Sequence, residues 1–267
     1  MRAEEQDKYH PRIQEISDYV SLWLHTRSKE IISPVMLTGK FPEYANFQPW
    51  SSNELIYLRN GRVLTPAKKA VVAFMGPSAS GKDSIRNEVE KLWPNGLTKI
   101  KTATTRIIDG KARKETGDSY TFCSESEFSE MKRQGKFIET VHQGSHHYGT
   151  PTSSLENAIA EPEPVKLWLG ELIGAEHLRA WMAQHHPDVP FISVFVLPNM
   201  TLDDYLKRIF QKRGASQAFW RATKAVWELS NAPRSVDAFV LNPFDVSGAP
   251  IKASFAVKQF FDSFITK

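Results

Sequence analysis

The chain has 267 residues, 41% of them hydrophobic and 24% charged, a composition that suits a globular protein with one large core or two modest ones. Disorder, a collagen-like repeat and a disulfide scaffold are excluded, the last because Cys123 is the single cysteine and can neither pair within the chain nor build a multi-cysteine zinc site. Lys and Arg total 34 against 30 Asp and Glu, a formal net charge of +4. That is too little to point to a nucleic-acid partner, and with no apolar run of about 18 residues the expectation is a cytoplasmic protein without a membrane partner.

In chain order, Ile13, Ile16, Val20, Trp23 and Leu24 recur at three- and four-residue steps, which predicts an amphipathic helix ending before Pro34. Its apolar face suits packing on the core, or self-association or partner binding. Prolines at 34, 42 and 49 then interrupt any period, and the apolar stretches 55–58 and 63–64 flank Asn60-Gly61, a pair that suits a tight hairpin turn. Residues 1–69 read as an N-terminal extension. The run Ala70-Val-Val-Ala-Phe-Met75 is continuously apolar, as in a strand buried on both faces of a parallel sheet. A glycine-rich turn and a helix over 84–92 follow, stopped by Pro94-Asn95-Gly96. Further strands are predicted over 97–102, 165–169, 191–197 and 238–241, with helices over 125–133, 152–159, 171–184, 201–212, 218–229 and 255–264. This alternation defines an α/β fold with a mainly parallel sheet flanked by helices.

Gly76-Pro77-Ser78-Ala79-Ser80-Gly81-Lys82 satisfies G-x-x-x-x-G-K between a predicted buried strand and a helix. Glycines there let the backbone wrap phosphate oxygens, the helix N-terminus favours the negative charge, and Lys82 can meet the β- and γ-phosphates. After the lysine stands Asp83, where a Ser or Thr hydroxyl normally binds Mg²⁺, with Ser84 next. A carboxylate can hold Mg²⁺ directly or through water, so Asp83 is the candidate metal ligand; the other reading is a carboxylate favoured by the helix dipole. Ser145-His146-His147 reads as a solvated loop pair and not as metal ligands, because neighbours in sequence point apart.

From about residue 70 onward the sequence resembles the guanylate kinase family. The phosphate loop, Thr104-Thr105-Arg106, Gly117-Asp118-Ser119-Tyr120-Thr121-Phe122, Glu127-Phe128, Gly135-Lys-Phe-Ile-Glu139 and Tyr148-Gly149-Thr150 follow in the family's order. The resemblance implies a P-loop kinase core at 70–101 and 161–267, a small β-rich monophosphate-binding insertion at 102–160 and a helical lid at about 205–222. It implies ATP and Mg²⁺ as cofactors and GMP, or dGMP, as the acceptor of a direct in-line phosphoryl transfer. In that scheme Arg106 forks onto the acceptor phosphate, Tyr120 and Tyr148 donate to it, and Glu139 accepts from the guanine amino group and ring N–H. Thr102 and Thr150 match positions that contact the base or its surroundings.

The resemblance departs in places. The stretch between Arg106 and Gly117 is longer than the family pattern, and Arg113 is assigned there as the second phosphate-binding arginine. Glu171 must replace an aspartate of the base site, and Gly174 stands for a family glycine. Arg208, Arg213 and Arg221 resemble the lid arginines that cancel phosphate charge during transfer, and Asn242 matches a position near the adenine of ATP. Two other readings stay open at this point. One is a ribose bisphosphokinase, which Gly81-Lys82-Asp83-Ser84 resembles; the other is a guanylate kinase-like scaffold module that keeps the monophosphate pocket to hold partners.

Overall fold

A computed structural model describes residues 29–39, 41–50, 53–108, 111–112, 119–143, 146–243 and 249–266. The predicted amphipathic helix at 13–24 and Arg113 lie outside them. In chain order the elements are helix α1 (Pro34–Thr38), a 3₁₀ turn (Pro42–Asn46), strands β1 (Phe47–Trp50), β2 (Asn53–Arg59) and β3 (Ala70–Met75), helix α2 (Lys82–Leu92) and strand β4 (Leu97–Lys99). The insertion follows as β5 (Thr102–Thr104), β6 (Ile107–Ile108), β7 (Lys111–Ala112), β8 (Tyr120–Phe122), α3 (Glu125–Arg133), β9 (Phe137–Gln143), β10 (His146–Pro151) and α4 (Thr152–Ala160). The chain then runs through β11 (Val165–Leu169), α5 (Leu172–His185), β12 (Phe191–Asn199), α6 (Leu202–Ser235), β13 (Ala238–Pro243) and α7 (Ala249–Asp262). Among the described residues, no helix is long and apolar enough to cross a membrane.

The chain divides into two compact units. The first is drawn from Met1–Arg62, Gly76–Glu88 and Phe195–Val257. Here β1 and β2 form an antiparallel hairpin, Phe47 facing Arg59, and β2 lies antiparallel to β13, Leu58 facing Ala238. The Phe239 ring binds this corner together, lying 4.9 Å from the Tyr44 ring and 4.5 Å from that of Phe47. The Tyr44 hydroxyl donates to the Leu229 carbonyl at 2.8 Å, and the Arg59 guanidinium donates to the carbonyls of Pro233 and Val236. The end of α6 leaves carbonyls without helical partners, and a cation is the favourable group to meet them.

Two expectations are corrected in this unit. The hairpin joins β1 to β2 and not the stretches on either side of Asn60-Gly61; Gly61 does turn the chain, with φ +75, but Val63 beyond it is 77% exposed and belongs to no strand. The partner strand, Phe-Gln-Pro-Trp, is short and carries a proline, so it shows no strand alternation in the sequence. The separate helices at 201–212 and 218–229 are one continuous α6, opened by Thr201, whose hydroxyl accepts from the Asp204 amide.

The second unit is drawn from Val63–Met75, Val89–Val194 and Lys258–Lys267. Strand β11 lies parallel to both β3 and β4, with Val165 facing Ala70 and Leu97, and every residue of β3 is buried, as its unbroken apolar run requires. Lys166 on β11 is fully buried. Its Nζ donates to the Glu161 carbonyl at 2.6 Å, while Lys69 donates to that of Ile159, so two ammonium groups cap the end of α4. The insertion is a four-stranded sheet in the order β8-β5-β10-β9, and β6 with β7 makes a two-stranded ribbon. Helix α3 starts at a capping box in which the Ser124 hydroxyl accepts from the Glu127 amide and the Glu127 carboxylate accepts from that of Ser124. Its Phe128 stacks on Phe137 at 4.6 Å.

The strand expected over 97–102 is split: Leu97–Lys99 pairs with β11, and Thr102–Thr104 crosses into the insertion sheet. His146 and His147 lie on strand β10 rather than in a loop, with the His147 ring 4.6 Å from His142 and 5.3 Å from Phe128.

Candidate active site

In the first unit the phosphate loop runs from Gly76 to the start of α2. Gly76 has φ +155, and a Cβ there would sit 2.8 Å from Ser80 Oγ and 2.9 Å from the Val196 carbonyl. Gly81 has φ +86. Gly76 needs glycine for room, and both positions need it for backbone conformation. Ala79 also takes a left-handed conformation, φ +64, at a cost of about 1–2 kcal/mol for a residue with a Cβ.

The loop's carbonyls explain how that conformation is kept. The Tyr205 hydroxyl donates to the Ser78 carbonyl at 2.6 Å, Arg208 Nε to that of Ala79 at 3.3 Å, and Asn242 Nδ2 to that of Ser80 at 2.9 Å; Arg221 Nη1 donates to Ser78 Oγ at 3.2 Å. Burial pushes the Tyr205 phenol well above its ordinary range, which keeps it a donor. Carbonyl oxygens repel phosphate, and side chains on α6 and β13 hold three of them. Ser80 Oγ and Asn242 Oδ1 are buried with no hydrogen-bond partner among the described residues. Lys82 is half-buried, and Asp83 and Ser84 are exposed in the first turn of α2. Pro77 is buried beside Gly76. Arg213 falls within α6, but its side chain lies outside what is described. Tyr205 is a site residue that sequence reasoning missed: its hydroxyl meets a loop 127 positions away, and no local pattern announces that.

In the second unit the insertion sheet gathers the other predicted residues. Glu139 on β9 faces Thr150 on β10. The carboxylate is 5% exposed; its Oε1 accepts from Thr150 Oγ1 at 2.6 Å, and Thr150 Oγ1 accepts from Trp168 Nε1 at 2.7 Å. Oε2 is buried with no hydrogen-bond partner among the described residues. Burial pushes Glu139 up to about 7, with the charge of Glu171 adding to the effect and the Thr150 hydrogen bonds opposing it. Glu171 sits at the start of α5 without a capping hydrogen bond. One turn on, a Cβ at Gly174 would lie 3.2 Å from Glu139 Oε2.

Thr102 faces Tyr120 across β5 and β8, and the Tyr120 and Tyr148 rings meet edge to face at 6.1 Å. The Thr-Thr-Arg turn is stitched to β10: Thr104 Oγ1 donates to the His147 carbonyl, Thr105 Oγ1 accepts from the His147 amide, and the Arg106 amide donates to Thr104 Oγ1. This sheet thus carries Thr102, Tyr120, Glu139, Tyr148 and Thr150, with Arg106 at the end of β5. Among the described residues no group of three His, Cys, Asp or Glu side chains could hold a metal ion.

A glycine-dependent anion loop at the head of a helix and a buried acceptor carboxylate in a β-rich insertion define a nucleotide-binding phosphotransferase of the P-loop kinase class. Comparison with known proteins narrows this. The profile described as guanylate kinase matches residues 68–239. Among curated relatives, a guanylate kinase of Trichormus variabilis is 29% identical over 179 residues, 66% of this chain and 84% of its own. One of Mycoplasmopsis synoviae is 33% identical over 169 residues, 62% of this chain and 83% of its own. The crystal structure of guanylate kinase from Anaplasma phagocytophilum shares the fold, with a TM-score of 0.54 at 18% identity, over 77% of this chain and 90% of that one. The chain belongs to the guanylate kinase family.

Proposed function

We propose that the protein transfers the γ-phosphoryl group of ATP to GMP, giving GDP and ADP. The observation that carries this is Glu139. A nearly fully buried carboxylate with one oxygen engaged and the other unpartnered among the described residues is costly unless ligand donors meet it. Guanine offers such donors side by side, the ring N–H and the exocyclic amino group, whereas the corresponding edge of adenine accepts at its ring nitrogen. A pocket built this way discriminates strongly, because the wrong base leaves buried groups unpaired.

The chemistry asks little covalent work of the protein. Arg106, Tyr120 and Tyr148 hold and orient the acceptor phosphate; Lys82 and the loop amides hold the donor phosphates, and Arg208, Arg213 and Arg221 cancel charge as it redistributes. Asp83 and Ser84 are the residues that would hold Mg²⁺, the usual arrangement being one or two protein oxygens plus substrate phosphates, which fits a chain with no three-ligand cluster among its described residues. Bound there, the ion would supply positive charge to offset that of the phosphates. Asn242, on β13 and bonded to the loop at the Ser80 carbonyl, would lie toward the adenine end of ATP. A ribose bisphosphokinase is not favoured, since a sugar phosphate presents no planar pair of N–H donors to Glu139. The intact phosphate loop likewise disfavours a scaffold role. A cytoplasmic setting, with no nucleic-acid or membrane partner, belongs to the same proposal and rests on the lone cysteine and small net charge.

The test is ADP release with ATP and Mg²⁺ against GMP, dGMP, AMP, UMP, CMP and ribose bisphosphate, with Lys82→Ala and Glu139→Ala as controls. Turnover of guanine monophosphates alone, lost in both variants, is expected. Turnover of another acceptor, or folded protein silent across the panel, overturns the proposal.

A further inference from the structure

We propose that Trp168 is a positioning residue for base recognition: its indole N–H, acting through the Thr150 hydroxyl, holds Glu139 so that Oε2 is the oxygen presented to the base. The inference rests on the reading of Glu139 as the guanine acceptor and deepens it.

An indole N–H can only donate, and a hydroxyl has a single proton to give. Trp168 Nε1 lies 2.7 Å from Thr150 Oγ1, so Thr150 must accept there; its own proton then goes to Glu139 Oε1, 2.6 Å away. With the carboxylate ionised it can only accept, and the direction of the chain, Trp168 to Thr150 to Glu139, is then fixed. All three residues are buried, at 2%, 0% and 5% exposure, so water does not compete for these groups. Two consequences follow. Thr150 has no proton left for a base and works through Glu139, and Oε1 is engaged while Oε2 has no hydrogen-bond partner among the described residues.

Packing sets the indole in place. A Cβ at Gly170 would lie 2.0 Å from Trp168 Cη2, and one at Gly174 would lie 2.9 Å from the same atom and 3.2 Å from Glu139 Oε2. Two glycines therefore make room for the ring. The second also leaves the space beside Oε2 open, so the residues that seat the indole and those that expose the carboxylate oxygen form one packed group.

The experiment uses the full chain with Trp168→Phe and, because that change also removes buried volume, the chain carrying benzothienylalanine at position 168, in which sulfur replaces the N–H of an otherwise similar ring. Steady-state kinetics are read with GMP and with IMP, which lacks the amino group. Loss of one donor in a buried charged network is expected to lower kcat/KM for GMP about tenfold, through KM, with kcat and the KM for ATP within about twofold. The preference for GMP over IMP should fall severalfold. In a Thr150→Val background the isostere should cost nothing further, since the relay is already cut. An isostere with unchanged GMP KM and GMP-to-IMP ratio, or one whose loss adds in full to that of Thr150→Val, overturns the inference while GMP turnover by the parent chain stands. A parent chain with no GMP turnover would instead remove the functional reading and this inference together.

Discussion

Protonating Glu139 should switch off base recognition across neutral pH. Its carboxyl, pushed up to about 7 by burial with Glu171 adding to the effect, is about nine-tenths ionised at pH 8 and about one-tenth at pH 6, so kcat/KM for GMP should fall about tenfold over that range. A glutamate at its ordinary value of 4.5 would change by only a few per cent. An added proton on Oε2 keeps the Thr150 hydrogen bond to Oε1 and replaces the acceptor by a donor that faces the donors of guanine. The same shift has a stability consequence. Between 4.5 and about 7 the folded chain binds more protons than the unfolded one, so this contribution is full below about pH 4.5 and is lost as pH rises through 7, about 3 kcal/mol in all. The assay is kcat/KM for GMP from pH 6 to 8 at saturating ATP, divided by the profile of Glu139→Gln, which retains the titration of the GMP phosphate itself. The unliganded parent should also lose melting temperature relative to Glu139→Gln as pH rises from 5 to 8. Superimposable profiles for parent and variant, or a KM for ATP that moves with the same midpoint, would show that Glu139 does not read the base.

Other substitutions separate the parts of the site. Gly174→Ala gains about 1 kcal/mol of helix propensity but brings its Cβ to 3.2 Å from Glu139 Oε2 and 2.9 Å from Trp168; it should raise the KM for GMP at least about tenfold without lowering kcat, and an unchanged KM would place Oε2 elsewhere than at the base. Tyr205→Phe removes the donor to the Ser78 carbonyl, a bond of about 1 kcal/mol, and should raise the KM for ATP about fivefold with the KM for GMP unmoved. Asp83→Ser restores the hydroxyl usual at that position and should shift the Mg²⁺ concentration giving half-maximal turnover; an identical titration removes Asp83 from the metal site.

What was legible in the sequence was what depends on neighbours in the chain. The run Val165–Leu169 is a strand as expected, being short and apolar at four of its five positions. Helix Glu125–Arg133 starts where it should, because Ser124 and Glu127 form a capping box readable at three-residue spacing. The phosphate loop was equally plain, its glycines being demanded by local backbone geometry. What escaped depends on residues brought from afar. Strand β1 exists because β2 offers it a partner and β13 offers β2 another, and its proline-bearing tetrapeptide has no strand signal alone. The segment 97–102 reads as one strand, yet tertiary pairing gives its two ends to different sheets. The same holds within the site: Glu139 and Thr150 could be named from their motifs, but the Trp168 donor and the Tyr205 clamp on the loop are visible only once folding has placed them.

The central claim, a guanine monophosphate as acceptor, is tested most directly by competition. One reaction holding ATP, Mg²⁺, GMP and ribose bisphosphate in equal amounts, followed by ³¹P nuclear magnetic resonance, reports every phosphorylated product at once. The paired resonances of GDP should grow as ATP is consumed, while those of the bisphosphate stay constant. A new phosphorylated sugar, or ATP consumed with GMP untouched, would mean that the buried carboxylate serves some other ligand.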